Sequence, residues 1–273
     1  SANCELGTLP ADKKDLIVAC CDEILAGKYI DQFPVDMIQG GAGTSCNMNA
    51  NEVIANRALE LMGKEHGDYK FVHPNDDINM AQSTNDAYPT AMHLGLYMLN
   101  KELIDALVPM IESLDKKAKE FANIIKMGRT QLQDAVPMTL GQSFHAFSTA
   151  LKAEMKKVNA AAQGLLTINM GATAIGTGIT AEPGYAQACT KFMRDVTGWD
   201  IKLANDLVEA TNDTSCMVAY HGALKQLAIR VSKMCNDLRL LSSGPRTGLQ
   251  EINLPPKQPG SSIMPGKFNP VIP

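Results

Sequence analysis

Two adjacent hydroxyls, followed by a lysine and an amide, mark the last stretch of the chain, Gly260-Ser261-Ser262-Ile263-Met264-Pro265-Gly266-Lys267-Phe268-Asn269-Pro270. Small residues let such a loop close over an anion and exclude water, although the same composition also makes a flexible linker. A second group, Gln82-Ser83-Thr84-Asn85-Asp86, stands where helical periodicity begins. Ser, Thr, Asn and Asp are the residues that cap helix starts. Four in succession exceed what one cap needs, and the free N–H groups of a helix start favour a carboxylate. The segment Gly40-Gly41-Ala42-Gly43-Thr44-Ser45 has similar character. It lacks the Gly-Lys-Ser/Thr ending of a phosphate-binding loop, and a plain glycine-rich turn accounts for it equally. Gly128-Arg129-Thr130-Gln131-Leu132-Gln133-Asp134 is polar where a core-building strand would not be, and alone it reads as a surface loop.

Other chemistries find little support. The five histidines, His66, His73, His93, His145 and His221, do not pair with one another or with cysteine at metal-ligand spacing. No metal site is therefore expected. His93, His145 and His221 fall inside predicted helices and read as structural, while His73 opens a turn-like His73-Pro74-Asn75-Asp76. No Gly-x-Ser-x-Gly elbow is present for a hydrolase triad.

Three long segments of helical periodicity must position these loops. The first covers 86–121, with Met92, Leu96, Leu99, Leu103, Leu107 and Ile111 near one face. Pro109 inside it should kink it. The second covers 140–168, through Phe144, Phe147, Leu151, Met155 and Val158. The third covers 206–241 with only Gly222 as a weak point, and as one helix of ~35 residues would span roughly 50 Å. Helices of that length belong to a long bundle. Shorter helices are expected at about 12–26 and 49–62, stopped by Gly27 and Gly63. Polar or Gly/Pro-containing linkers are expected at 39–49, 73–85, 128–137, 171–184 and 242–273. The reading is all-α.

Composition agrees. Of 273 residues, 45% are hydrophobic and only 5% aromatic, so aliphatic and Met side chains must fill the core. A net charge of −4 without a basic cluster gives no support for a nucleic-acid partner. Seven scattered cysteines without a C-x-x-C pair suit a reducing, cytoplasmic compartment better than a disulfide framework. No apolar run approaches the ~20 residues of a membrane span, and the opening residues do not read as a signal peptide.

Taken together, the loops resemble those of the aspartase/fumarase superfamily. Gly260 to Asn269 fits the signature Gly-Ser-x-x-Met-x-x-Lys-x-Asn, and 40–51, 73–89, 128–142 and 171–178 are similar to further family blocks in the right order. The resemblance runs from Cys4 to Pro273. Gln131 stands where fumarases of this class usually carry histidine, and aspartases are known with either residue. The stretch Leu207-Val208-Glu209-Ala210-Thr211-Asn212-Asp213 is also closer to the aspartase branch; Phe268 departs from a common valine.

The resemblance implies a long-helix bundle, with 1–85 part of an N-terminal helical domain and 86–273 part of the central bundle. Family chains begin earlier and continue past this loop, so the chain alone is expected to be a poor catalyst. A homotetramer is implied, with each active site shared by three subunits. The implied reaction is reversible conversion of L-aspartate to fumarate and ammonia. It uses no organic or redox cofactor, and divalent-cation activation is left open. Carried over by position, Ser261 is the implied general base and Lys267 its catalytic partner. Thr44, Ser83, Thr84 and Ser262 hold the carboxylate that becomes enediolate-like. Thr130, Lys267 and Asn269 hold the other carboxylate, and Asn85 and Gln131 orient the amino group. Forming a serine oxyanion at neutral pH costs roughly 12 kcal/mol, and one preorganised donor returns about 3–4 kcal/mol. At least three favourable terms are needed, which suits a base carried on a closing loop. The alternatives are a fumarate hydratase and a structural homologue that has lost catalysis; loss of Ser261 or Lys267 would favour the latter, and both are present.

Overall fold

The computed structural model describes residues 1–36, 38 and 40–271. Gln39, which opens the expected linker at 39–49, and the final Ile272 and Pro273 lie outside the described residues. In chain order the helices are α1 (Ala2–Glu5), α2 (Ala11–Leu25), α3 (Thr44–Leu61), α4 (Thr84–Glu120), α5 (Leu140–Ala162), α6 (Tyr185–Thr197), α7 (Leu207–Asn212) and α8 (Ser215–Leu241). Strands β1 (Ile125–Thr130) and β2 (Gln133–Thr139) form an antiparallel hairpin between α4 and α5. Strands β3 (Thr167–Ile168) and β4 (Lys202–Leu203) form a short parallel pair. Helices dominate, as the apolar periodicity requires.

The expected boundaries hold for α2 and α4 and shift elsewhere. Pro109 lies within α4, where its carbonyl accepts from Ser113 Oγ at 2.8 Å. The segment expected at 140–168 leaves α-helix at Ala162, passing through a 3-10 turn into β3. The single helix expected at 206–241 is two, because Asp213 is extended (φ −90°, ψ 134°) and its carboxylate accepts from the Ser215 N–H at 3.1 Å. That start signal is stronger than the uninterrupted periodicity suggested. Helix α3 begins at Thr44, inside the expected linker, because Gly43 at φ 94° supplies the turn that starts it. A carbon atom added to Gly43 would lie 2.3 Å from Tyr88 of α4, so glycine is also needed for close approach.

The chain groups into two compact units, Ser1–Met98 with Gln163–Met217, and Leu99–Ala162 with Val218–Pro273. In the first, Cys20, Ala55, Ala58, Leu59 and Val72 close a core between α2, α3 and the segment after them. A separate cluster there joins Ile168, Met170, Tyr185, Ala188 and Ile201. In the second, buried Leu107 and Ile111 of α4, Leu151 and Val158 of α5, and Leu227 and Met234 of α8 form the bundle interior. Buried polar groups fix the helices' register. Asn100 Nδ2 donates to Asn159 Oδ1 at 3.1 Å, and Tyr220 OH donates to Asn100 Oδ1 at 3.2 Å. A buried amide without partners is costly, so these bonds select one register.

Candidate active site

Within the first unit, Ser83 caps α4. Its Oγ accepts from the Asn85 N–H at 3.2 Å, and its own N–H donates to Asp86 Oδ1 at 2.9 Å. The cap resembles a capping box, with the Ser83 hydroxyl on the N–H of the second helical residue and the carboxylate of the third, Asp86, on the Ser83 N–H. The other Asp86 oxygen accepts from the Gly171 and Thr173 N–H groups at 3.2 and 2.8 Å. Asp86 is fully buried; burial pushes its carboxyl pKa up, and the backbone N–H groups of Ser83, Thr173, Ala87 and Gly171 pull the other way. Asn85 Nδ2 donates to Ala174 O at 2.7 Å, while the Asn85 carbonyl accepts from Asn169 Nδ2 at 3.0 Å. The turn is thus held against residues 171–174 from three sides.

Thr44 stands exposed at the start of α3, beside the Gly43–Tyr88 contact. An amide chain links the two helix starts. Asn47 and Asn51 of α3 both donate to Asn79 Oδ1, at 3.1 and 3.0 Å, and Asn79 Nδ2 donates to the Gln82 carbonyl at 3.1 Å. Ser83 and Thr84 are half-buried and Asn85 is exposed.

Within the second unit, Thr130 and Gln131 lie at the tip of the hairpin. Residues 128–137 therefore form two paired strands and not the surface loop that their polarity suggests. Backbone pairing needs no apolar side chain, and β2 is exposed over most of its length. Thr130 pairs with Gln133, leaving Gln131 and Leu132 as a two-residue turn at φ 49° and 64°. Positive φ at both positions is the turn that matches strand twist, and it normally takes Asn-Gly. Lys126 and Arg129 of β1 both pair with Glu251, which is nearly buried, and Lys126 Nζ sits 3.2 Å from it. The Glu251 N–H in turn donates to Leu241 O at 2.8 Å, at the end of α8.

The final loop closes on itself. Gly260 N–H donates to Lys267 O at 2.7 Å, Pro259 and Phe268 form a bridge, and Asn269 Nδ2 reaches Gly260 O at 3.3 Å. A carbon atom added to Gly260 would lie 2.6 Å from Asn269 Oδ1, so the signature glycine makes room for the signature amide. Ser261 Oγ accepts from the Ile263 N–H at 3.2 Å. Ser261 and Asn269 are half-buried, whereas Ser262 and Lys267 are exposed. Lys267 and Asn269 line a groove of about 1730 Å³ together with the 242–258 segment; Ser261 and Ser262 do not.

With this geometry established, the lyase family matches residues 1–273. The chain belongs to this lyase family. It is 59% identical over its whole length to aspartate ammonia-lyase of Pseudomonas aeruginosa and 57% identical to that of Escherichia coli. It spans 58% and 57% of those relatives' lengths. Among solved structures, a fumarate lyase:delta crystallin of Brucella melitensis bound to cobalt superposes with a TM-score of 0.96 at 53% identity, over 99% of this chain and 59% of that one. A class II fumarase of Schistosoma mansoni superposes with a TM-score of 0.93 at 35% identity, over 98% of this chain and 60% of that one.

Two of the histidines hold local structure. His73 Nδ1 accepts from the Asn75 and Asp76 N–H groups at 3.1 and 3.2 Å and caps the turn Pro74–Ile78. His93 lies between Thr167 O at 3.1 Å and Cys216 Sγ at 3.3 Å, and burial lowers its pKa. His145 and His221 are exposed on α5 and α8. Two carboxylates organise the loops: Asp86, already among the capping residues of the sequence, and Glu251, which the sequence does not single out. Asp86 carries a legible signal, the Ser-x-x-Asp spacing from Ser83. Glu251 carries none, since its partners lie more than 120 residues away.

Proposed function

We propose that the whole protein is an aspartate ammonia-lyase, converting L-aspartate reversibly to fumarate and ammonia. The observation that carries this reading is the donor and acceptor pattern of the Ser83–Asn85 turn. Ser83 donates its N–H to Asp86 and accepts at Oγ from Asn85, which leaves its O–H as the donor to offer an anion. The Asn85 bond to Ala174 O orients its amide and leaves Oδ1 as an acceptor. A donor for carboxylate beside an acceptor for ammonium fits an amino dicarboxylate. Thr44, Thr84 and Ser262 add donors to the first carboxylate. Thr130, Lys267 and Asn269 hold the other, and Gln131 offers a carbonyl acceptor to the amino group.

Ser261 is the base that removes the Cβ proton. Its Oγ already accepts the Ile263 N–H, one of the donors an oxyanion needs; Lys267 and exclusion of water on closure supply the rest. As the C–N bond breaks, its electron pair leaves with ammonia, and the enediolate-like carboxylate collapses to fumarate.

In the whole protein, 1–85 belongs to an N-terminal helical domain and 86–273 to the central bundle. A homotetramer with sites shared by three subunits is supported by exposed Met98, Leu99, Val108, Val218 and Ile229 along α4 and α8. A cytoplasmic setting is supported by cysteines that form no disulfide among the described residues, none of whose helices is long and apolar enough to cross a membrane.

Fumarate hydratase is the second reading, favoured by the fumarase neighbour at 35% identity. A coupled assay decides between them. Fumarate formed from L-aspartate should exceed malate formed from fumarate by at least tenfold; comparable or greater malate formation would establish the hydratase.

A further inference from the structure

We propose that Asp86 is a positioning residue for substrate binding: its buried carboxylate aims the Ser83 and Asn85 side chains by fastening their turn to the wall at Gly171–Thr173. The inference rests on the aspartate ammonia-lyase reading and deepens it, because Asp86 itself makes no contact with substrate.

A carboxylate with no exposure is costly to retain unless it is fully hydrogen-bonded. Here each oxygen faces a different segment, with Oδ1 on the Ser83 N–H and Oδ2 on the Gly171 and Thr173 N–H groups. A helix cap alone would need only the first bond. The remaining two hold a strained wall. Thr173 has φ 56°, an unfavourable conformation for a β-branched residue, and its buried Oγ1 has no hydrogen-bond partner among the described residues. Its N–H bond to Asp86, at 2.8 Å, offsets that strain. The next residue, Ala174, offers the carbonyl that orients the Asn85 amide. One carboxylate therefore sets both the Ser83 donor and the position of the wall that directs Asn85.

Asparagine at 86 keeps the shape but has a single carbonyl oxygen. Its NH2 must then face either the Ser83 N–H or the pair from Gly171 and Thr173, so one fastening is lost. The test is a double-mutant cycle in the whole protein with Asp86→Asn, Ser83→Ala and the pair. Each single variant should raise KM for L-aspartate about tenfold with kcat changed less than about threefold. Acting partly through Ser83 and partly through Asn85, the two should add only in part: the double variant should raise KM less than about thirtyfold. A purely structural aspartate would instead give multiplied losses, near a hundredfold, and that result or an unchanged KM in Asp86→Asn would overturn the proposal. Should Asp86→Asn not fold, amide exchange on the wild-type protein decides. The Ser83, Gly171 and Thr173 N–H groups should exchange as slowly as helix-interior amides, and rapid exchange at 171 and 173 would overturn it. A wild-type protein that forms no fumarate from aspartate refutes the functional reading itself, which an active enzyme with an additive cycle does not.

Discussion

The turn at Ser83–Asp86 and the loop at Gly260–Asn269 carry similar side chains, hydroxyls beside an amide, yet they are held in opposite ways. The turn is fastened through its own buried carboxylate to Gly171 and Thr173, and by Asn169 and Ala174, all of them distant in the sequence. The loop is held by bonds among its own residues, and Ser262 and Lys267 remain exposed. A binding surface gains from being built before substrate arrives, since ordering is then already complete. A serine base gains from closing afterwards, because its oxyanion is tolerable only once water has left. The two regions thus divide the work: the turn is built in advance to bind, and the loop brings the base, Ser261, together with the carboxylate donors Ser262, Lys267 and Asn269.

The largest expected effect breaks that division at its chemical end. Ser261→Ala in the whole protein should lower kcat by about 10²–10⁴-fold, the usual contribution of a general base, with helicity and assembly unchanged by circular dichroism and sedimentation. Next comes the hairpin tip. Gln131→Ala should reduce kcat/KM for aspartate at least tenfold, about 1.4 kcal/mol; if Gln131 merely supports the turn, steady-state kinetics will show a change below threefold.

How far these regions were readable in the sequence follows the same divide. The helices were legible because apolar residues repeat at 3.6 spacing, as Leu107, Ile111 and Leu114 do in α4. The final loop was legible because its bonds are local. The hairpin was not, since Gln131-Leu132 lacks the Asn-Gly of its turn type and β2 is mostly exposed. The break at Asp213 was overridden by the periodicity on both sides. Asp86 was visible as a cap, but nothing local to it announces Gly171 and Thr173.

Two smaller effects sharpen the comparison by probing structure alone. Leu132 adopts φ 64° while 68% exposed, so Leu132→Gly removes strain at little loss of packing. Chemical denaturation should show a gain of about 1 kcal/mol, and a loss would mean the leucine packs in the whole protein. In the first unit, Arg57 and then Lys28 lower the Glu23 pKa to about 2. A depressed carboxyl stabilises the fold above its unfolded pKa and loses that contribution as pH falls through the folded value. The urea midpoint should therefore decline between about pH 4.5 and 2, and Glu23→Gln should flatten that part of the profile. An unchanged profile would remove the pair from the account.

The most direct test of the division between turn and base is the affinity of inactive Ser261→Ala for fumarate, measured by calorimetry on the whole protein. The account predicts a Kd within about twofold of the wild-type value, because the Ser83–Asp86 turn is intact. A tenfold or greater loss of affinity alongside the lost turnover would contradict it and make Ser261 itself a binding group.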